Sequence, residues 1–298
     1  MRKFLAIGLL NVTLLLAGCE SHDRVDSINR MNTGIQQLRK GNLSGAEKAL
    51  QEAIKTDPSH AQAHLNLGKL YRKQERWVDA ENAYKAAITN SAEAPVGDYS
   101  YELAIVQIAQ GEGKDVSAAE RDSKYRNAIG SLQQATKHNP TLYKAQYQLG
   151  VLHERLDEPV QSDAAYRACI KLNGNYADAF VSLGNMYIDY GFSNVAMTVL
   201  DVGTQINETD AGMWNGLGRA KLNLNKPKEA VDALSKAKAI DPDRPDVLFS
   251  LGMAYAEMRD KKNAAENLEL FLQKAGATTP EHTQKAARDT LARMQDVI

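Results

Sequence analysis

Small and bulky apolar residues recur along this chain in a pattern that returns every 34 positions. From Tyr143 the register runs without a gap to residue 278. Leu149, Leu183, Leu217 and Leu251 each precede a glycine: Gly150, Gly184, Gly218 and Gly252. Later in each unit come a small residue (Ser162, Ala196, Ala230, Ala264) and a bulky one (Tyr166, Leu200, Leu234, Leu268). Two earlier units, 27–60 and 61–94, carry Gly34 and Gly68, Ala46 and Ala80, and Ala53 and Ala87 at the same places. The spacing within each half-unit is helical, so each unit predicts two helices and a turn. The small positions are where two helices cross closely, and the bulky ones fill the gaps between crossings. Pro58 and Pro242 end second helices, because proline cannot continue the hydrogen-bond ladder. One unit cannot bury these faces alone, so neighbours must stack.

One unit is irregular. Residues 97–142 carry Leu103 and Ala104 in the first helix, and Tyr125, Ala128, Leu132 and Ala135 in the second, with an insertion at 112–123. Within it, Ser117-Ala118-Ala119-Glu120 reads as a capping box. The insertion should therefore lengthen the second helix backwards by about two turns, leaving it projecting. After residue 278, Thr279-Pro280 predicts an N-cap with proline at the first helical position. Ala286, Ala287, Leu291 and Met294 share one stripe, so 279–298 should cap the array.

The helix–turn–helix unit of this length, with small residues at its eighth, twentieth and twenty-seventh places, resembles the tetratricopeptide repeat (TPR). Seven such units are assigned, at 27–60, 61–94, 97–142, 143–176, 177–210, 211–244 and 245–278. The resemblance implies an all-α, right-handed superhelix whose first helices line a concave groove. It places Lys69, Arg72 and Lys73 of the second repeat in that groove. Tyr147, Glu154 and Arg155 follow from the fourth, Asn185, Ile188 and Asp189 from the fifth, and Asn215, Arg219 and Asn223 from the sixth. Phe249, Met253 and Glu257 come from the seventh. Such a groove is basic at its N-terminal end. It would hold an extended peptide with an acidic end, its backbone bonded by Asn185 and Asn215.

The N-terminus reads differently. Arg2 and Lys3 precede an apolar run, Phe4 to Leu16, too short to span a bilayer, which takes about 20 residues. Residues 1–18 have the layout of a secretory signal. Leu16-Ala17-Gly18-Cys19 resembles the lipobox of bacterial lipoproteins, which implies that Cys19 is lipidated and becomes the new N-terminus. More than one acyl chain makes a stable anchor. Residues 19–26 would then be a tether, and its seven residues after Cys19 reach at most about 25 Å. Glu20, rather than Asp, follows the cysteine. By analogy with enteric sorting, that implies the periplasmic face of the outer membrane of a Gram-negative bacterium.

Charge and chemistry narrow the function. The chain has 36 basic and 37 acidic residues, and removing 1–18 takes away only bases, so no basic face for nucleic acid is expected. Cys169 is the one other cysteine, and it takes a small repeat position, which predicts a buried structural thiol. Gly111-Glu112-Gly113-Lys114 lacks the first glycine and the hydroxyl residue of a phosphate loop. His60 and His64 lack the glutamate of a zincin helix and the further ligands a zinc site needs. No enzyme, cofactor, metal or small-molecule substrate is expected; the expected partner is a protein or peptide. Lipobox and repeats together resemble the pilotin-type TPR lipoproteins, which help type IV pilus secretins assemble. An adaptor docking cell-wall hydrolases or motility-machine components is the alternative.

Overall fold

The computed structural model describes the backbone of residues 4–91, 96–276 and 279–295, and the side chains of residues 22–91, 96–276 and 279–294. Among the described residues every regular element is a helix. Two compact units, Met1–Gln148 and Leu149–Ile298, are each built of helix pairs. The first holds α1 (Phe4–Arg39), α2 (Leu43–Thr56), α3 (Ala61–Lys73), α4 (Trp77–Thr89), α5 (Val96–Gly111) and α6 (Ala118–His138). Helix α7 (Tyr143–Arg155) runs into the second unit. There follow α8 (Pro159–Leu172), α9 (Ala177–Asp189), α10 (Ser193–Ile206), α11 (Ala211–Asn223), α12 (Pro227–Ile240), α13 (Pro245–Glu257), α14 (Lys261–Lys274) and α15 (Glu281–Gln295).

The repeat register has a direct steric meaning. A Cβ added to Gly68 would lie 2.8 Å from the Tyr84 ring, and one on Gly184 would lie 2.5 Å from Leu200 Cγ. The eighth place therefore faces the bulky twenty-fourth place of its own repeat. Leu50, Tyr84, Leu200, Leu234 and Leu268 have no exposed surface. Ala46, Ala80, Ser162, Ala196, Ala230 and Ala264, all at the twentieth place, have none either. Cys169 is fully buried.

The turns explain how repeats survive without the expected proline. Gly41, Glu75, Asp157, Gly191, Asn225 and Arg259 occupy one repeat position, and all have φ between 56° and 80°. The next residue's N–H bonds back over the end of the first helix, as from Glu158 to His153 O and from Asp260 to Tyr255 O. This is the Schellman pattern, normally built on glycine. Between repeats, Asn173 and Asn207 close α8 and α10 in extended backbone. Their side chains accept from the N–H groups of Asn175 and Thr209, which turns the chain where Gly174 and Glu208 replace proline.

Three expectations change or sharpen. Residues 19–26, the expected tether, lie in α1 as helix, and Arg24 among them pairs with Asp57 at 2.5 Å. At 1.5 Å per residue those turns span about 10 Å, not about 25 Å. The lengthened helix is present: α6 has 21 residues, and Ser117 Oγ accepts from Glu120 N. Ala118 to Glu120 project into solvent, while Arg121 Nε donates back to Gly111 O at 3.1 Å. Helix α15 starts one residue later than expected. Pro280 O accepts from Thr283 and Gln284, so Pro280 rather than Thr279 holds the cap position. Its stripe does bury: Ala287 is fully enclosed against Leu248, Leu268 and Phe271, with Leu291 and Met294 beside it.

Candidate partner-binding surfaces

In the N-terminal unit, Lys69 and Lys73 are exposed on α3. Arg72, between them, is committed to the neighbouring repeat through an ion pair with Glu102 of α5 at 2.9 Å. The basic surface expected there therefore rests on the two lysines, with the guanidinium charge balanced. Tyr147 is half-buried.

The C-terminal unit brings the expected residues of successive repeats into contact. Arg219 donates to Asn185 Oδ1 at 2.9 Å and lies 3.7 Å from Asp189. Asn215 is 4% exposed and donates to Asp246 Oδ2 at 3.0 Å. Asp246 also accepts from Arg244 Nε at 2.8 Å, an arrangement that raises the Arg244 pKa. Asn185 thus spends its carbonyl oxygen inside the chain. Asn215 does not: its Oδ1 is buried without a hydrogen-bond partner. A buried unpaired acceptor costs about 1–3 kcal/mol and needs a reason.

Asn215, Arg219 and Phe249 line one cleft of about 450 Å³. Its far wall comes from Phe271, 5.2 Å from Phe249 between ring centroids, and from Pro280 and Thr283 at the start of α15. The sequence signalled Asn215, Arg219 and Phe249 through their repeat positions. It gave no signal for Asp246, or for Pro280 and Thr283, because a capping helix has no repeat register to locate its walls. The cleft offers one guanidinium and a floor of rings. That set suits an extended peptide with an apolar side chain.

The histidines point to separate partners. Ser27 Oγ donates to Ala53 O, so His60 Nδ1–H must donate to Ser27, at 2.6 Å. His64 Nε2 donates to Pro58 O at 2.9 Å. Cys19 and the rest of the lipobox lie outside the described side chains. Among the described residues, no helix is long and apolar enough to cross a membrane.

Three family models, each of the tetratricopeptide repeat, match residues 32–95, 143–176 with 211–244, and 246–276, together more than half of the chain. The peroxisomal targeting signal receptor of Candida albicans is 28% identical over 243 residues, which take in 79% of this chain and 39% of that one. Anaphase-promoting complex subunit 3 of Schizosaccharomyces pombe is 24% identical over 245 residues, 82% of this chain and 34% of that one. This chain therefore spans well under half the length of either relative. Among solved structures, a tetratricopeptide repeat protein from Parabacteroides merdae superposes with a TM-score of 0.56 at 14% identity, covering 91% of this chain and 99% of that one. YrrB, described as a TPR protein with an unusual peptide-binding site, gives 0.53 at 19% identity, covering 68% and 97%. Pseudomonas aeruginosa pilF gives 0.53 at 18% identity, covering 68% and 90%. These likenesses are of fold.

Proposed function

The chain belongs to the tetratricopeptide-repeat proteins, and on that premise we propose that it is a lipid-anchored assembly factor at the periplasmic face of the outer membrane. Proteins of this kind mediate protein–protein interaction. The observation that carries a binding role for this chain is the cleft of the C-terminal unit, which Asn215, Arg219 and Phe249 line together. An apolar side chain of a partner would cover the Phe249 ring beside the Arg219 guanidinium. The lipobox at 16–19 supports the anchor. The pilotin-type role follows from the lipobox and repeats combined, and a fold shared with pilF is consistent with it.

Two experiments test this reading. Cys19→Ser should abolish incorporation of an alkyne-palmitate label and release the protein from the membrane fraction; a labelled, membrane-bound Cys19→Ser protein contradicts the anchor. A deletion strain should lose secretin multimers. Normal multimers with altered cell-wall turnover would instead support the adaptor reading.

A further inference from the structure

A second surface of the C-terminal unit, sharing no lining residue with the cleft, departs from the repeat in a way that folding does not explain. The position after each left-handed turn residue is polar in five regular repeats: Asn42, Arg76, Glu158, Lys226 and Asp260. In the fifth repeat it is Phe192, at the N-cap of α10, whose side chain cannot accept a helix N–H as Asn42 and Asp260 do. Phe192 is 59% exposed, Val160 on α8 is 78% exposed and Tyr190 is 41% exposed. With Pro159, Met186 and Tyr187 they line a cavity of about 300 Å³.

The rings are held in advance. Tyr187 stands edge-on to Phe192, with centroids 6.5 Å apart and planes at 88°. The Tyr187 hydroxyl donates to Asp163, and the Tyr190 hydroxyl donates to Asp157 at 2.5 Å. A surface whose rotamers are already fixed loses little entropy on binding. Contiguous exposed apolar surface with a polar border is the mark of a contact site. The border here is acidic. Asp163 lines the cavity and Asp157 accepts from Tyr190 on its wall, in a stretch that also carries Glu154 and Glu158 against Arg155 and Arg167; Glu154 accepts from Tyr166, Glu158 pairs with His153, and Arg167 pairs with Asp163 at 2.8 Å.

We propose that this face docks a partner polypeptide that presents one bulky apolar side chain flanked by lysine or arginine. The cavity takes a single large side chain, and the border carboxylates select the flanking charge. The same carboxylates oppose an anionic lipid surface.

The test uses the full chain, labelled for amide NMR, with two probes: acetyl-Lys-Trp-Lys-amide and acetyl-Glu-Trp-Glu-amide. The lysine probe should give saturable shifts confined to the amides around Val160, Tyr190 and Phe192, and the glutamate probe should bind about tenfold more weakly. Phe192→Asp supplies a capping carboxylate, so the fold is kept while the apolar contact is lost; it should abolish the shifts, and Val160→Ser should weaken them. Equal affinity for the two probes, shifts elsewhere, no saturable shift, or binding that survives Phe192→Asp would overturn the proposal. So would self-association, or capture on phosphatidylglycerol vesicles, that Phe192→Asp removes. Failure here leaves the cleft reading standing, because the cleft shares none of these residues.

Discussion

Gly184 and Gly130 are both helical glycines, and the structure gives them opposite fates. A Cβ at Gly184 meets Leu200 Cγ at 2.5 Å, and fully buried Leu200 has nowhere to move. Overpacking of this kind costs about 1–3 kcal/mol, against roughly 1 kcal/mol that alanine gains over glycine in a helix. Gly184→Ala should therefore lower the midpoint of urea unfolding. A Cβ added at Gly130 would meet nothing outside its own helix backbone within 4 Å. Gly130→Ala should stabilise by about 0.5–1 kcal/mol. His60 adds a pH dependence. Burial, with the charges of Arg24 and His64, holds its pKa below the ordinary histidine value, and Asp57 only partly opposes them. The unfolded chain then takes up the proton first as pH falls below about 6.5, so stability is lost on the acid side and is flat above. The unfolding midpoint should fall between about pH 7 and pH 5, and His60→Gln should flatten that slope. At this scale the sequence was legible wherever a repeat position demands a small side chain. The left-handed turn position was not, since Glu75, Asp157 and Arg259 there carry no glycine signal.

Elements were legible where a local chemical signal marked their ends. Ser117-Ala118-Ala119-Glu120 announced the long α6, and the Ser117 cap is present at 3.3 Å. Ser117→Ala should cost about 1 kcal/mol. The loss should appear in hydrogen exchange as faster opening of the first turns of α6 alone, with the helix from Tyr125 onward unchanged. Protection lost throughout α6 would mean that the cap holds the whole helix. Boundaries defined by processing rather than by hydrogen bonds were not legible as structure. Residues 19–26 read as a tether, and in the structure Arg24–Asp57 and Ser27–His60 contacts bind the middle of α1 to the turn between α2 and α3. An anchor at Cys19 would then hold the first repeat closer to the membrane than a flexible leader could.

At the scale of the molecule, the repeat count and the all-helical architecture follow from the 34-residue register. The groove was legible only in part. Position rules named Asn215, Arg219 and Phe249, which line one cleft, but gave no sign that Arg72 is neutralised by Glu102 or that α15 walls the cleft. Pairings between repeats depend on which side chain each neighbour happens to supply, and a repeat rule is silent on that. The most direct test is site-specific photocrosslinking in cells. A photoreactive residue replaces Phe249 in the cleft or, as a control, exposed Val202 on α10. One discrete crosslinked partner from position 249, absent from position 202 and lost on adding Asn215→Leu, is the predicted result. No crosslink at 249, or the same partner from both positions, would contradict it.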